Sequence, residues 1–149
     1  MNKNIIFIIV LIFFLGLGAS WVINKANSSH QLPIIKLVPE FAFINQDGDT
    51  FTEKRLLDKI TVLDFMFTNC PGPCPMMTHN MAGLYNDFAG VSEVQFISVT
   101  VDPDNDSQET LKNYASLNGV NDQRWNFLFS GIDSIKKLKR DGFMLFADD

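Results

Sequence analysis

Thr61–Phe67 (TVLDFMF) and Val94–Val101 (VQFISVTV) are nearly continuous apolar runs, rich in β-branched and aromatic residues. A strand with one wet face alternates apolar and polar residues, whereas an unbroken run belongs to a strand covered on both faces. Each run is followed by a helical pattern. After Pro75, Met77, Met81, Leu84 and Phe88 recur at helical spacing and predict one inward stripe, with Gly90 as its stop. After Asp102-Pro103, the segment Asp106–Glu109 offers a helix cap with an acid three positions on. Leu111, Tyr114, Ala115 and Leu117 then make a helical face before Gly119. Trp125–Phe129 reads as a third strand and Ile132–Arg140 as a third helix, with Ile132, Ile135 and Leu138 inward and Gly142 as its stop. Phe143–Phe146 is expected to begin one more strand. Ahead of these, Phe41–Thr52 reads as a β-hairpin turning at Asp47-Gly48. Strands alternating with helices define an α/β fold: a central mixed sheet with a parallel core and helices on both faces. The sequence stops at Ala147-Asp148-Asp149, just after an apolar run begins, and is therefore expected to be a fragment of a longer domain.

The amino-terminal segment has another character. Ile5–Ile23 is 19 residues without a charge, bounded by Lys3 and Lys25. As a helix it would extend roughly 28 Å, close to the thickness of a bilayer's hydrocarbon. One transmembrane helix, anchoring the chain, is the expectation for residues 1–23; a cleaved signal peptide is the rival. The apolar run continues through Trp21, Val22 and Ile23, past the small residues Gly16–Ser20 where cleavage would fall, and Trp21 suits an interfacial anchor. With its short basic head inside, the remainder would face the periplasm or cell exterior. Residues 24–35, polar and serine-bearing at first, read as a tether to a domain over 36–149. The chain carries 12 Lys+Arg against 17 Asp+Glu, a formal charge of -5, so it has no electrostatic claim on nucleic acid.

The two cysteines, Cys70 and Cys74, lie in Thr68-Asn-Cys-Pro-Gly-Pro-Cys-Pro75, between the first long strand and the following helix. That junction is the carboxyl end of a sheet, where α/β folds bind and react. A helix start with free N–H groups favours thiolate over thiol. Two adjacent thiolates form either a redox pair or a soft-metal clamp, and Cu(I) accepts such ligands at low coordination number. Three intervening residues, two of them proline, are compatible with both a disulfide and two sulfurs around a metal. A purely stabilising disulfide is the plainer alternative, but closing so short a loop removes little unfolded-state entropy.

At these residues the sequence resembles the Sco/SenC proteins. The resemblance rests on Asp64–Pro75 (DFMFTNCPGPCP), Val101-Asp102-Pro103 with Asp106, Trp125 with Phe127-Leu128, and Asp141-Gly142-Phe143, and covers roughly Lys36–Phe146. It implies a thioredoxin-like fold, a membrane tether, and delivery of copper, as Cu(I) or Cu(II), to the Cu(A)-containing subunit of cytochrome c oxidase. Some members are instead proposed to reduce disulfides at that site. Carried over by position, Cys70 and Cys74 are the sulfur ligands and Asp102 a supporting residue near them. The family's third ligand, a histidine beyond the D-G-F segment, lies in a stretch this sequence does not contain.

The remaining chemical residues divide between site and scaffold. His30 sits in the tether, and His79 is five positions past Cys74, roughly 140° around the helix, so neither replaces the missing ligand. Met77 is expected in the core, Met76 is open, and Trp125 reads as core. Asp64, within a buried strand, needs a hydrogen-bonding partner or tunes the thiols. A copper carrier is thus the leading reading. A thiol-disulfide oxidoreductase is the second, with Cys70 attacking and Cys74 resolving. Peroxide reduction is weak, because it needs one activated cysteine and the pair is the feature here.

Overall fold

The computed structural model describes residues 3–26 and 33–145, and the side chains of these except at 4, 10 and 22–26. The chain divides into two units, Met1–Ile35 and Lys36–Asp149.

The first unit holds helix α1, Lys3–Ala26. Its described apolar side chains, among them Phe7, Ile12 and Phe14, are exposed. The expected helix is present. Its expected span is not demonstrated: among the described residues no helix is long and apolar enough to cross a membrane.

The second unit is an α/β domain. The hairpin strands are β1 (Ala42–Asn45) and β2 (Thr50–Thr52), joined through Gly48, whose φ of 88° supplies the left-handed residue of a three-residue turn. The Asn45 side-chain oxygen accepts from the N–H groups of Asp47 and Asp49 and fixes that turn. After a short 3₁₀ turn at Glu53–Leu56 come β3 (Ile60–Met66), α2 (Cys74–Asp87), β4 (Val94–Thr100), α3 (Gln108–Leu117), β5 (Trp125–Phe129) and α4 (Ile132–Phe143). The five strands lie in the order β2-β1-β5-β4-β3. β3, β4 and β5 are parallel, and β1 runs antiparallel to β5 and β2. β4 lies between β3 and β5 and all seven of its residues are buried, as an unbroken apolar run requires.

Alternate residues of the central strands face opposite layers. Phe96 and Phe127 pack with Tyr85 of α2 and Leu111 of α3; Ile97, Val99 and Leu128 pack with Ile135 and Leu138 of α4. The sheet therefore carries helices on both faces, and Met66 and Cys74 belong to the α2–α3 side of the core.

Five expectations are corrected. β3, expected to be covered on both faces, is instead the edge strand of the sheet, and only Met66 of its seven residues is buried. The buried face of α2 is Cys74, Thr78, Met81 and Tyr85, whereas Met77, Leu84 and Phe88 of the expected stripe are 37%, 39% and 41% exposed. Thr78 and Tyr85 tolerate burial because their hydroxyls pair with Tyr114 (3.0 Å) and Asn121 (2.8 Å). On α3, Leu111 and Ala115 are buried but Leu117 is exposed, and the N-cap is Ser107, accepting from Thr110 N–H. Asp106 instead turns inward. On α4, Ile132 is largely exposed and Gly142 does not end the helix. A Cβ at Gly142 would come within 3.1 Å of Pro39 Cδ, so the glycine permits close approach. Finally, Phe143 does not begin a strand. It is the last helical residue and packs edge-on against Phe65, 5.7 Å between ring centres. Met144, at φ 55°, caps the helix through Lys139 O.

Candidate thiol and metal site

β3 delivers the chain to the carboxyl end of the sheet, and the loop 67–73 carries Cys70 over it to α2. Cys74 is the first residue of α2, with Pro73 before it and Pro75 in the first turn, where a missing N–H costs nothing. No side chain caps this helix end, so its first N–H groups are free to meet sulfur.

The two thiols are close but unlike. Cys70 is half-buried in the loop, Cys74 is 6% exposed, and both are free thiols. The Cys70 thiol is held below its ordinary value, first by a hydrogen bond from the Cys74 side chain and then by the backbone N–H groups of Cys74 and Gly72. Burial pushes the Cys74 thiol up, and sharing its hydrogen with Cys70 pushes it further; the Phe67 backbone N–H works in the opposite sense. The pair is thus uneven: the more exposed Cys70 sulfur gives up its proton more readily than the buried Cys74 sulfur. Such a pair can attack and resolve a disulfide, and with both protons released it can clamp a soft cation.

Two carboxylates lie behind the pair. Asp64, on β3, has both oxygens buried without a hydrogen-bond partner. Burial raises its pKa. Ser98, opposite it on β4, offsets part of that rise without completing a hydrogen bond, and its hydroxyl already accepts from the Trp125 indole N–H at 3.0 Å. The Asp64 charge adds a last, small upward push to Cys74. Asp106 is also buried but fully engaged. It accepts from Thr68 N–H (3.1 Å), Thr68 Oγ1 (2.5 Å) and Thr100 Oγ1 (2.5 Å).

The other sequence candidates fall elsewhere. Asp102 forms a turn, accepting from Asn105 Nδ2 at 3.0 and 2.9 Å; its described bonds are to this turn and not to either sulfur. His79 is exposed on α2, and His30 lies outside the described residues. Met76 and Met77 both reach the surface beside the motif, 71% and 37% exposed. Among the described residues no cluster of three or more His, Cys, Asp or Glu is placed to hold a metal ion. Thr68 and the inward role of Asp106 escaped the sequence reading, because the partners are 38 residues apart and Asp106 also fits a helix cap.

A parallel α/β core with an uneven thiol pair at a strand-to-helix junction defines the class of thioredoxin-like domains. The SCO1/SenC family model matches residues 30–134, and the chain belongs to that family. It is similar to the SCO1 protein homolog of Bacillus subtilis, with 36% identity over 97 residues, 64% of this chain and 50% of that protein. It is similar in structure to BsSco, described as a Sco-family cytochrome c oxidase assembly protein with a disulfide switch: TM-score 0.70, 32% identity, 78% of this chain and 69% of that one. Yeast Sco1 with copper bound superposes with a TM-score of 0.63 at 27% identity, over 74% of this chain and 60% of that one. The chain spans about half the length of the curated relative from B. subtilis.

Proposed function

We propose that this protein is a copper carrier of oxidase assembly: Cys70 and Cys74 take up Cu(I) as thiolates and pass it by ligand exchange to the Cu(A)-containing subunit of cytochrome c oxidase. The observation that carries this reading is the convergence of two sulfurs, one of them with its pKa lowered by the other, at the end of β3. Cu(I) binds soft sulfur at low coordination number, so two thiolates suit it without a rearranged fold. Copper in the yeast Sco1 structure supports the same assignment. Helix α1 is inferred to tether the domain to the cell membrane, with the domain in the periplasm or at the cell exterior; the uncharged run Ile5–Ile23 supports this.

The unequal thiols also favour a second reading, thiol-disulfide exchange. Cys70 thiolate attacks one sulfur of a partner's disulfide, forming a mixed disulfide and releasing the other partner sulfur as thiolate. Cys74, on losing its proton, then attacks Cys70 and frees the second partner thiolate. The partner gains two electrons and the pair ends as a Cys70–Cys74 disulfide.

An anaerobic Cu(I) competition titration on the reduced 149-residue chain, beside a Cys70→Ser, Cys74→Ser double variant, separates the two. One tight equivalent lost in the double variant is the expected result. Equal competition by both chains overturns the copper reading and leaves exchange. Extraction of membranes at alkaline pH tests the tether, which predicts that the chain stays with the lipid.

A further inference from the structure

The carboxylate of Asp106 is 1% exposed yet lies at the carboxyl end of the sheet. It is bonded on one side to the loop that carries Cys70 and on the other to the end of β4. A buried carboxylate is costly unless several donors meet it. Here three do, and two of them belong to one residue, Thr68, which gives both its backbone N–H and its hydroxyl. The acid itself is held from behind: its N–H donates to Asp102 O at 2.9 Å, and Ser107, the next residue, caps α3. Asp102 N–H in turn donates to Thr100 Oγ1 at 3.0 Å. Asp106 therefore ties three elements together: its side chain holds the end of β4 to the cysteine loop, and its backbone leads into the start of α3.

We infer that Asp106 is a positioning residue of the thiol pair, acting through its two hydrogen bonds to Thr68 to set the course of the loop that carries Cys70 to α2. Thr68 lies two residues before Cys70 and follows Phe67, whose N–H meets Cys74. A loop released from Asp106 can rotate the Phe67–Thr68 segment and spread the two sulfurs. The side-chain hydrogen bonds of Asp106 go to Thr68 and Thr100; its effect on the sulfurs passes through Thr68. The inference rests on the reading of Cys70 and Cys74 as the working pair, whichever chemistry they perform.

The test uses the reduced 149-residue chain in detergent and two readouts: Cu(I) affinity by competition, and the ratio of Cys70 to Cys74 alkylation rates by mass spectrometry. Asp106→Asn keeps the size but replaces one accepting oxygen with an NH2 group. It is expected to weaken Cu(I) binding about tenfold or more and to make the two alkylation rates more alike. Thr68→Ser keeps both donors and should match wild type in both readouts. Asn45→Ala removes the hairpin-turn bonds far from the thiols in sequence and should lower thermal stability while leaving both readouts unchanged. If Asp106→Asn does not fold, Thr68→Val takes its place, with about a fivefold loss expected for one hydrogen bond. The inference is overturned if the variant used and Asn45→Ala behave alike in both readouts, or if Thr68→Ser is as impaired as Asp106→Asn. Should wild type bind no Cu(I), the copper reading falls, and the alkylation ratio alone decides the role of Asp106.

Discussion

Asp64 and Asp106 are two carboxylates buried behind one pair of thiols, and the fold treats them oppositely. Asp106 receives three donors, which offset the cost of its burial. Asp64 receives none, and its pKa rises because water has been taken away without replacement. Burial alone therefore does not say what a charged group is for. A carboxylate with satisfied lone pairs is a fastener, since removing it strands its donors; one without partners is a stored cost, released when the charge is removed.

The largest effect should come from breaking the fastener. Asp106→Ala strands the Thr68 N–H and two threonine hydroxyls, and is expected to destabilise the domain by about 3 kcal/mol or more, read from urea unfolding. Thr100→Val removes one donor and leaves Asp106 its two bonds to Thr68. A loss of about 1 kcal/mol is expected by the same method. An equal loss in the two variants would show that Thr100, not Thr68, carries the Asp106 contribution.

Asp64→Asn should act with the opposite sign, stabilising the domain by about 1 kcal/mol near neutral pH. The pH dependence sharpens this. Because the folded Asp64 pKa is raised, its stabilising protonated form is fully present below the unfolded value of about 3.9, and its contribution is lost as pH rises through the folded value. Wild type should therefore fall behind Asp64→Asn progressively above about pH 4, with the two converging in acid. A constant difference across that range would mean that Asp64 keeps its ordinary titration. The smallest effect concerns the thiols. In a Cys70→Ser background, Asp64→Asn should move the onset of Cys74 alkylation to slightly lower pH, because the Asp64 charge is the last and weakest of the upward pushes on that thiol.

Much of this was legible beforehand. β5 has the expected bounds, and β3 and β4 differ from expectation by one residue at their ends, because an unbroken apolar run states its own limits. The hairpin followed from Asp47-Gly48, and the location of the thiols from a strand passing into Cys70. The inward face of α2 did not follow. Counting apolar residues favoured Met77, Leu84 and Phe88, while Thr78 and Tyr85 were buried by hydroxyl partners on α3 and on the loop after it. The closing strand at Phe143 failed for a similar reason: an apolar segment does not announce whether it pairs in a sheet or packs as a last helical turn against Phe65.

By itself, then, the order of residues determined the strand-helix alternation, the parallel core, the family and the placing of Cys70 and Cys74 at a helix start. These depend on neighbours a few positions apart, which a linear pattern records. Only the tertiary structure decided that the Cys70 thiol pKa is lowered and the Cys74 thiol pKa raised, that the Asp64 carboxylate oxygens are buried without a hydrogen-bond partner, and that Asp106 fastens Thr68 from 38 residues away. Those outcomes depend on which groups lose water and which distant donors replace it, and that is set only when the strands and helices close around them.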